Sequence, residues 1–139
     1  MRKNLGIEGL GDLVEQPRCA TLATYRKDGS VLLSPVWHEW RDGGFNITIE
    51  RDDVKHRHIR RDPRASLALY EDGPPYRGLE LRCTPTIVED DAAAIQRRIA
   101  IRYLGKEGGE RYASSPSGKE ITLRLEPGDL RTWDFAEDF

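Results

Sequence analysis

Asp-Gly pairs set between short alternating apolar runs punctuate this sequence, and they restrict it to antiparallel hairpins more than any other feature. Cys19–Tyr25, rich in Thr, Ala and Leu, runs into Lys27-Asp28-Gly29-Ser30, where Asp-Gly supplies the positive φ of a tight hairpin turn. A second strand is expected from Val31 to Trp40. Arg41-Asp42-Gly43-Gly44 then closes another hairpin onto Phe45–Ile49, in which Phe45, Ile47 and Ile49 share one face and Thr48 points to the other. Further strands are expected at Ala65–Tyr70, over the long alternating stretch Arg77–Val88, where Pro85 signals a bulge or an edge, at Lys119–Leu125 and at Leu130–Phe135, with a Pro127-Gly128 turn between the last two.

Three segments read as helix. Ile7–Glu15 carries Leu10, Leu13 and Val14 at helical offsets and stops at Pro17. Asp52–Asp62 is a short charged segment with Asp52 or Asp53 as N-cap and Pro63 beyond its end. Asp90–Leu104 is the clearest, because Ala92, Ile95, Ile99 and Tyr103 recur at helical spacing and Gly105 follows as a C-cap. Gly108–Gly118 reads as a Gly/Ser-rich connection. The fold class is therefore mainly β (α+β): an antiparallel sheet curled towards a small barrel, with one short inserted helix and one longer amphipathic helix. The 139 residues suit a single domain spanning 1–139.

Composition excludes several functions. Lys+Arg number 22 and Asp+Glu 24, a formal charge of -2, so no global field draws the chain to nucleic acid or to an anionic membrane. No segment approaches an apolar membrane span or a signal peptide, and a cytoplasmic location is expected. Cys19 and Cys83 have no CxxC spacing and read as reduced, packed thiols. His38, His56 and His58 lack a second cluster to complete a metal site. Neither GxGxxG nor GxxxxGK[ST] is present, and no Ser-His-Asp or Cys-His grouping stands out.

Any anion site must then be local, and the densest candidate is Arg51–Arg64, with Arg51, Lys55, Arg57, Arg60, Arg61 and Arg64 against Asp52, Asp53 and Asp62. A strand that delivers the chain to a basic helix start, with Thr48 near the strand's end, has the makings of a phosphate pocket. The run has no aromatic stacking platform for nucleic acid.

In order and spacing, Leu33-Ser34-Pro35-Val36-Trp37, Ile47-Thr48-Ile49 and Lys55-His56-Arg57-His58-Ile59-Arg60-Arg61-Asp62-Pro63-Arg64-Ala65-Ser66 resemble the pyridoxamine 5'-phosphate oxidase-like split β-barrel proteins. Within these the chain is most similar to the small branch that includes deazaflavin (F420)-dependent reductases of actinobacteria. Ala20-Thr21-Leu22-Ala23-Thr24 and Arg102-Tyr103-Leu104-Gly105 fit as well.

The resemblance implies a split β-barrel, a homodimer with cofactor sites at the subunit interface, and a ring lying against Ser34, Pro35, Val36 and Trp37. Thr48 and Lys55 would hold the phosphate with Arg57 assisting, Ile49 and Arg51 would belong to the same cofactor-binding set, and Tyr76, Arg77 and Lys119 would close the site. The implied activity is hydride transfer from F420 to a small organic substrate, with no separate catalytic dyad; FMN in the same fold, or a non-catalytic flavin or deazaflavin carrier, are the alternatives. Asp53 departs from the family, in which a basic or hydroxyl side chain is common there. An acid beside a phosphate is repulsive, so either Arg51 compensates for it or Asp53 turns away as the helix N-cap.

Overall fold

A computed structural model describes residues 1–139. In chain order the strands are β1 (Arg2–Lys3), β2 (Ala20–Tyr25), β3 (Val31–Val36), β4 (Glu39–Arg41), β5 (Gly44–Glu50), β6 (Ala65–Tyr70), β7 (Gly78–Cys83), β8 (Thr86–Val88), β9 (Glu120–Leu125) and β10 (Asp129–Asp134). Helix α1 (Val54–Arg61) lies between β5 and β6, and α2 (Ala92–Tyr112) between β8 and β9. All pairings are antiparallel, in one sheet ordered β1-β10-β7-β6-β2-β3 and a second ordered β4-β5-β9-β8. The Asp-Gly hairpins form as expected, with Gly29 at φ 86 and Gly43 at φ 79. The barrel is split into these two sheets, which do not join into a closed cylinder.

The alternating pattern sets what lies between the sheets. Leu22, Leu67, Leu69, Leu79 and Leu81 from the first sheet meet Phe45, Ile47, Ile121, Leu123 and Leu125 from the second, all essentially without solvent contact. At roughly 25 cal/mol per Å² of apolar surface, each such side chain contributes about 2 kcal/mol. Leu10, Leu13 and Val14 plug one end of this core. They sit in two short 3-10 segments, Ile7–Leu10 and Leu13–Glu15, rather than in the single helix expected there, because Gly11 turns the chain at φ 64. No helix is long and apolar enough to cross a membrane.

Two expected strands are each divided between the sheets. The Arg77–Val88 stretch becomes β7 in the first sheet and β8 at the edge of the second, with Pro85 in the corner, since proline offers no N–H to continue a ladder. Val31–Trp40 likewise becomes β3 and then β4, and the chain crosses over at Trp37 and His38. Helix α2 also departs from the expected pattern. Gly105 leaves helical geometry at φ 79, ψ 169, as its C-cap reading implies, but helix resumes and continues to Tyr112.

The crossing at His38 is pinned from α2. The Tyr103 hydroxyl accepts from the His38 N–H at 3.1 Å and donates to the Arg18 carbonyl at 2.7 Å, while Arg102 Nε donates to the His38 carbonyl at 3.0 Å. Arg102 also reaches the carbonyls of Val14 (3.0 Å) and Gln16 (2.7 Å), so one guanidinium ties helix, corner and core plug together. The His38 ring is fully buried against the edges of Phe45 and Tyr103, and neither of its nitrogens has a hydrogen-bond partner.

Burial, reinforced by the Arg102 charge, lowers the His38 pKa to about 4. An unfolded histidine titrates near 6.5. Between those values the unfolded chain binds the proton and the folded one does not, so this part of the stability is complete above about pH 6.5 and is lost as pH falls towards 4. The loss is on the order of 3 kcal/mol. Urea denaturation at a series of pH values is expected to show it, and His38→Leu is expected to flatten that slope; an unchanged slope in the variant would assign the acid sensitivity elsewhere.

Candidate functional site

Around Lys55 a cavity of about 430 Å³ opens between the end of β3, the end of β5, the start of α1 and helix α2. Pro35, Val36, Trp37, Thr48, Ile49 and Lys55 line it, all of them positions the sequence singles out. They converge because β5 feeds directly into α1 while β3 turns its Trp37 outward at the sheet crossing.

Trp37 is held in place by α2. Tyr103 stacks on it at 4.9 Å between ring centroids with planes 8° apart, and Tyr112 leans against it at 5.3 Å. Burial raises the Tyr103 hydroxyl pKa, consistent with a neutral phenol anchored to backbone. Below, the Thr48 hydroxyl is buried with no hydrogen-bond partner. An unmet buried hydroxyl costs about 1–3 kcal/mol, so a ligand oxygen that engaged it would recover that cost. Thr122, directly across from Thr48 in the β5–β9 register, carries a second unpartnered hydroxyl.

Asp53 meets both expectations for it only in part. It is the N-cap of α1, and its Oδ1 accepts from the Lys55 N–H at 2.8 Å. It does not turn away, however: Oδ2 lies 3.1 Å from Lys55 Nζ, and Asp53 lines the cavity together with Glu50. Lys55 is thus the one cation among the lining residues and already has a counter-charge. The Lys55 side chain is only 17% exposed, which strengthens that contact relative to an open surface pair.

The remaining predicted residues lie outside this lining. Arg51 pairs with Glu89 at 3.2 Å and Lys119 with Asp52 at 3.2 Å, both at the surface. Arg57 is exposed and makes one long contact, 3.4 Å to the Asp52 carbonyl. Ser34 alternates away from Pro35 along β3. Tyr76 borders a different cavity, and Arg77 is committed to structure. Its Nε and Nη2 grip Glu71 at 2.8 and 2.7 Å, Nη1 donates to the Leu10 carbonyl at 2.8 Å, and Asp12 lies 2.9 Å away. This grip holds the Glu71 carboxyl down to about pKa 2.

Gln96, Tyr112, Glu50 and Asp53 complete the lining. The first two had no sequence signal as site residues, because they depend on how α2 lies across the end of β5. His56 and His58 are internal hydrogen-bonding groups, to the Arg51 carbonyl at 2.7 Å and the Thr24 hydroxyl at 3.0 Å. No group of three or more His, Cys, Asp or Glu side chains is arranged to hold a metal ion.

The donor set fits a phosphorylated planar cofactor: an ammonium, an unmet hydroxyl and a flat aromatic wall, with Asp53 and Glu50 as the opposing charges. Comparison with known proteins bears on the same point. Residues 8–134 match the family model described as pyridoxamine 5'-phosphate oxidase. Among solved structures, a conserved hypothetical protein from Mycobacterium tuberculosis aligns with a TM-score of 0.79 at 25% identity, covering 95% of this chain and 86% of that one. A protein described as F420 reductase aligns with a TM-score of 0.72 at 26% identity, covering 86% and 93%. An FAD and haem binding protein from Mycobacterium smegmatis aligns at 0.72 and 18% identity, covering 95% and 72%, a likeness of fold alone. No curated protein sequence matches.

The Asp53–Lys55 contact makes a direct prediction. Asparagine caps helices as well as aspartate does, so Asp53→Asn keeps α1 while freeing the Lys55 charge. Affinity for FMN, followed by flavin fluorescence, is expected to rise by a factor of roughly 1.5–5, the range of a partly exposed ion pair. A fall in affinity would mean that Asp53 itself holds the ligand.

Proposed function

The chain belongs to the pyridoxamine 5'-phosphate oxidase family, and from that premise we propose that it is an oxidoreductase that uses the deazaflavin F420 for hydride transfer to a small organic substrate. The observation that carries this reading is the unpartnered Thr48 hydroxyl in a cavity that also holds Lys55 and Trp37. Thr48 and Lys55 take the phosphate, and the backbone from Pro35 to Trp37, with the Trp37 ring fixed by Tyr103, orients the ring system. Hydride chemistry belongs to the cofactor when bound; the protein contributes binding, orientation and exclusion of competing reactions. The apolar wall of Pro35, Val36 and Trp37 displaces water from one side of the bound ring.

F420 carries additional carboxylates on its tail, and two cations on α1 are available to them. Arg57 and Arg60 are exposed, and neither is paired with a carboxylate. The likeness to a protein described as F420 reductase supports the same choice. FMN is the second reading, favoured by the cavity itself, where Glu50 and Asp53 oppose Lys55 and a shorter, less acidic tail meets less repulsion.

The active unit in this reading is a homodimer. The outer face of the first sheet aligns Val31, Leu33 and Pro35 on β3 with Tyr25, Ala23 and Thr21 on β2. Leu33 is 61% and Val31 40% exposed. Exposed apolar side chains grouped on one face support an interface there, and the face adjoins the Lys55 cavity through Pro35.

Two measurements test the proposal. Titration of the protein with F420 and FMN side by side is expected to show tighter binding of F420, with Lys55→Ala weakening it by about 1.5–3 kcal/mol, the value of a charge-assisted contact. Tighter FMN binding would decide for the second reading, and unchanged affinity in the variant would remove Lys55 from the site. Sedimentation is expected to give a dimer that Leu33→Glu converts to monomer; a monomeric parent protein would refute the dimeric unit.

A further inference from the structure

On the face of the second sheet that α2 covers, the side chains form a polar row: Asn46, Thr48 and Glu50 on β5 beside Glu120, Thr122 and Arg124 on β9. Alternation puts them there, since Ile47, Ile49, Ile121 and Leu123 take the core side. Most of the row has partners. The Asn46 side chain donates to Glu39 at 2.8 Å and accepts from Arg124 at 3.2 Å, and Arg124 also donates to the carbonyls of Arg41 and Asp42, each at 2.6 Å. The Glu120 carboxylate accepts from the Ser117 N–H at 2.6 Å and from the Gly118 N–H at 3.1 Å. Thr48 and Thr122 are the exceptions, two buried hydroxyl oxygens with no partner.

Strand geometry sets these two hydroxyls side by side. The Arg51 N–H donates to the Lys119 carbonyl at 2.7 Å, one step beyond the Glu50–Glu120 pair, so that step is a hydrogen-bonded pair. The two kinds of pair alternate along an antiparallel ladder, and Thr48–Thr122, three steps back, is of the closer, non-hydrogen-bonded kind. Its Cβ atoms are about 4.5 to 5.5 Å apart, a span that one hydroxyl-to-hydroxyl bond bridges after a χ1 turn of either side chain. On the other flank of Thr122, β8 places only the apolar Val88 directly opposite. Thr122 is 1% exposed and does not line the Lys55 cavity, whereas Thr48 does. Of the two residues opposite Thr122, then, the only polar one is the threonine assigned to the phosphate.

A threonine hydroxyl has one proton to give and two lone pairs to receive with. When Thr48 gives its proton to a phosphate oxygen, its own oxygen becomes a better acceptor, and a donor behind it strengthens the bond in front. We propose that Thr122 is a positioning residue for the phosphate: it donates to Thr48 Oγ1 and so fixes the Thr48 hydroxyl with its proton aimed into the cavity. The inference rests on the reading of Thr48 as a phosphate ligand. An unmet buried hydroxyl lowers stability, and a residue that supports a ligand contact from behind accounts for keeping one at a position the ligand never touches.

The test titrates the parent, Thr122→Val, Thr48→Val and the double variant with F420 and FMN, and with the phosphate-free counterpart of each, the deazaflavin core and riboflavin, followed by cofactor fluorescence. Thr122→Val keeps the side-chain shape and removes the hydroxyl. It is expected to weaken the phosphorylated cofactors about 2- to 10-fold, the range of one neutral hydrogen bond, and to leave the phosphate-free ones unchanged. In the Thr48→Val background it is expected to have no further effect, because it acts through Thr48. Thr122→Ser is expected to restore the parental affinity. Without cofactor, Thr122→Val is expected to unfold at or above the parent's thermal midpoint, since it loses no partner; a lower midpoint would show a structural role instead. The inference is overturned if Thr122→Val weakens riboflavin as much as FMN, if its effect adds in full to that of Thr48→Val, or if Thr48→Val weakens binding and Thr122→Val does not. Parental affinity in Thr48→Val, or no binding of any cofactor at millimolar concentration, would overturn the phosphate reading itself and this inference with it.

Discussion

The crossing of the chain from one sheet to the other at Trp37 and His38 is the constraint on which the rest of this molecule depends. A strand that changes sheets must leave its ladder, and the freed backbone groups need partners. Here Tyr103 and Arg102 supply them, one at the His38 N–H and one at its carbonyl. Those two contacts lock α2 over the corner, and through Arg102 they also lock the plug formed by Leu10, Leu13 and Val14. The same event turns Trp37 out against Tyr103 and creates the wall of the cavity. Fold and site share one set of bonds, and the cost is a buried histidine with neither nitrogen satisfied.

Electrostatically the cavity is restrained. Lys55 faces it with its charge half-answered by Asp53, and the helix start that would bind an anion is already capped by that same carboxylate. A phosphate arriving there must compete with a built-in counter-ion, which tempers affinity and keeps the ammonium positioned while the cavity is open.

Much of this was legible in the sequence, for identifiable reasons. Asp28-Gly29 and Asp42-Gly43 announced their hairpins because only a few residue pairs accept that backbone, and Asp53 announced the start of α1 by its capping chemistry. The chemistry-bearing cluster of Thr48, Lys55 and Trp37 followed from short-range order, a strand running straight into a helix. Long-range consequences were not legible. Pro85 signalled a bulge or an edge but not a change of sheet, and no turn residue marks the other crossing at Trp37 and His38. Arg77 looked available until its partner Glu71, brought beside it by the β6–β7 turn, took its guanidinium. The cavity that Tyr76 borders joins Tyr70 and Trp133, about sixty positions apart, through the order β6-β7-β10, which no local signal encodes.

The central claim concerns where a phosphorylated cofactor sits, and a crystal structure of the protein with F420 bound tests it most directly. The account predicts the phosphate within hydrogen-bond distance of Lys55 Nζ and the Thr48 hydroxyl, with the ring along Pro35 to Trp37. A phosphate located away from both Lys55 and Thr48 would contradict it.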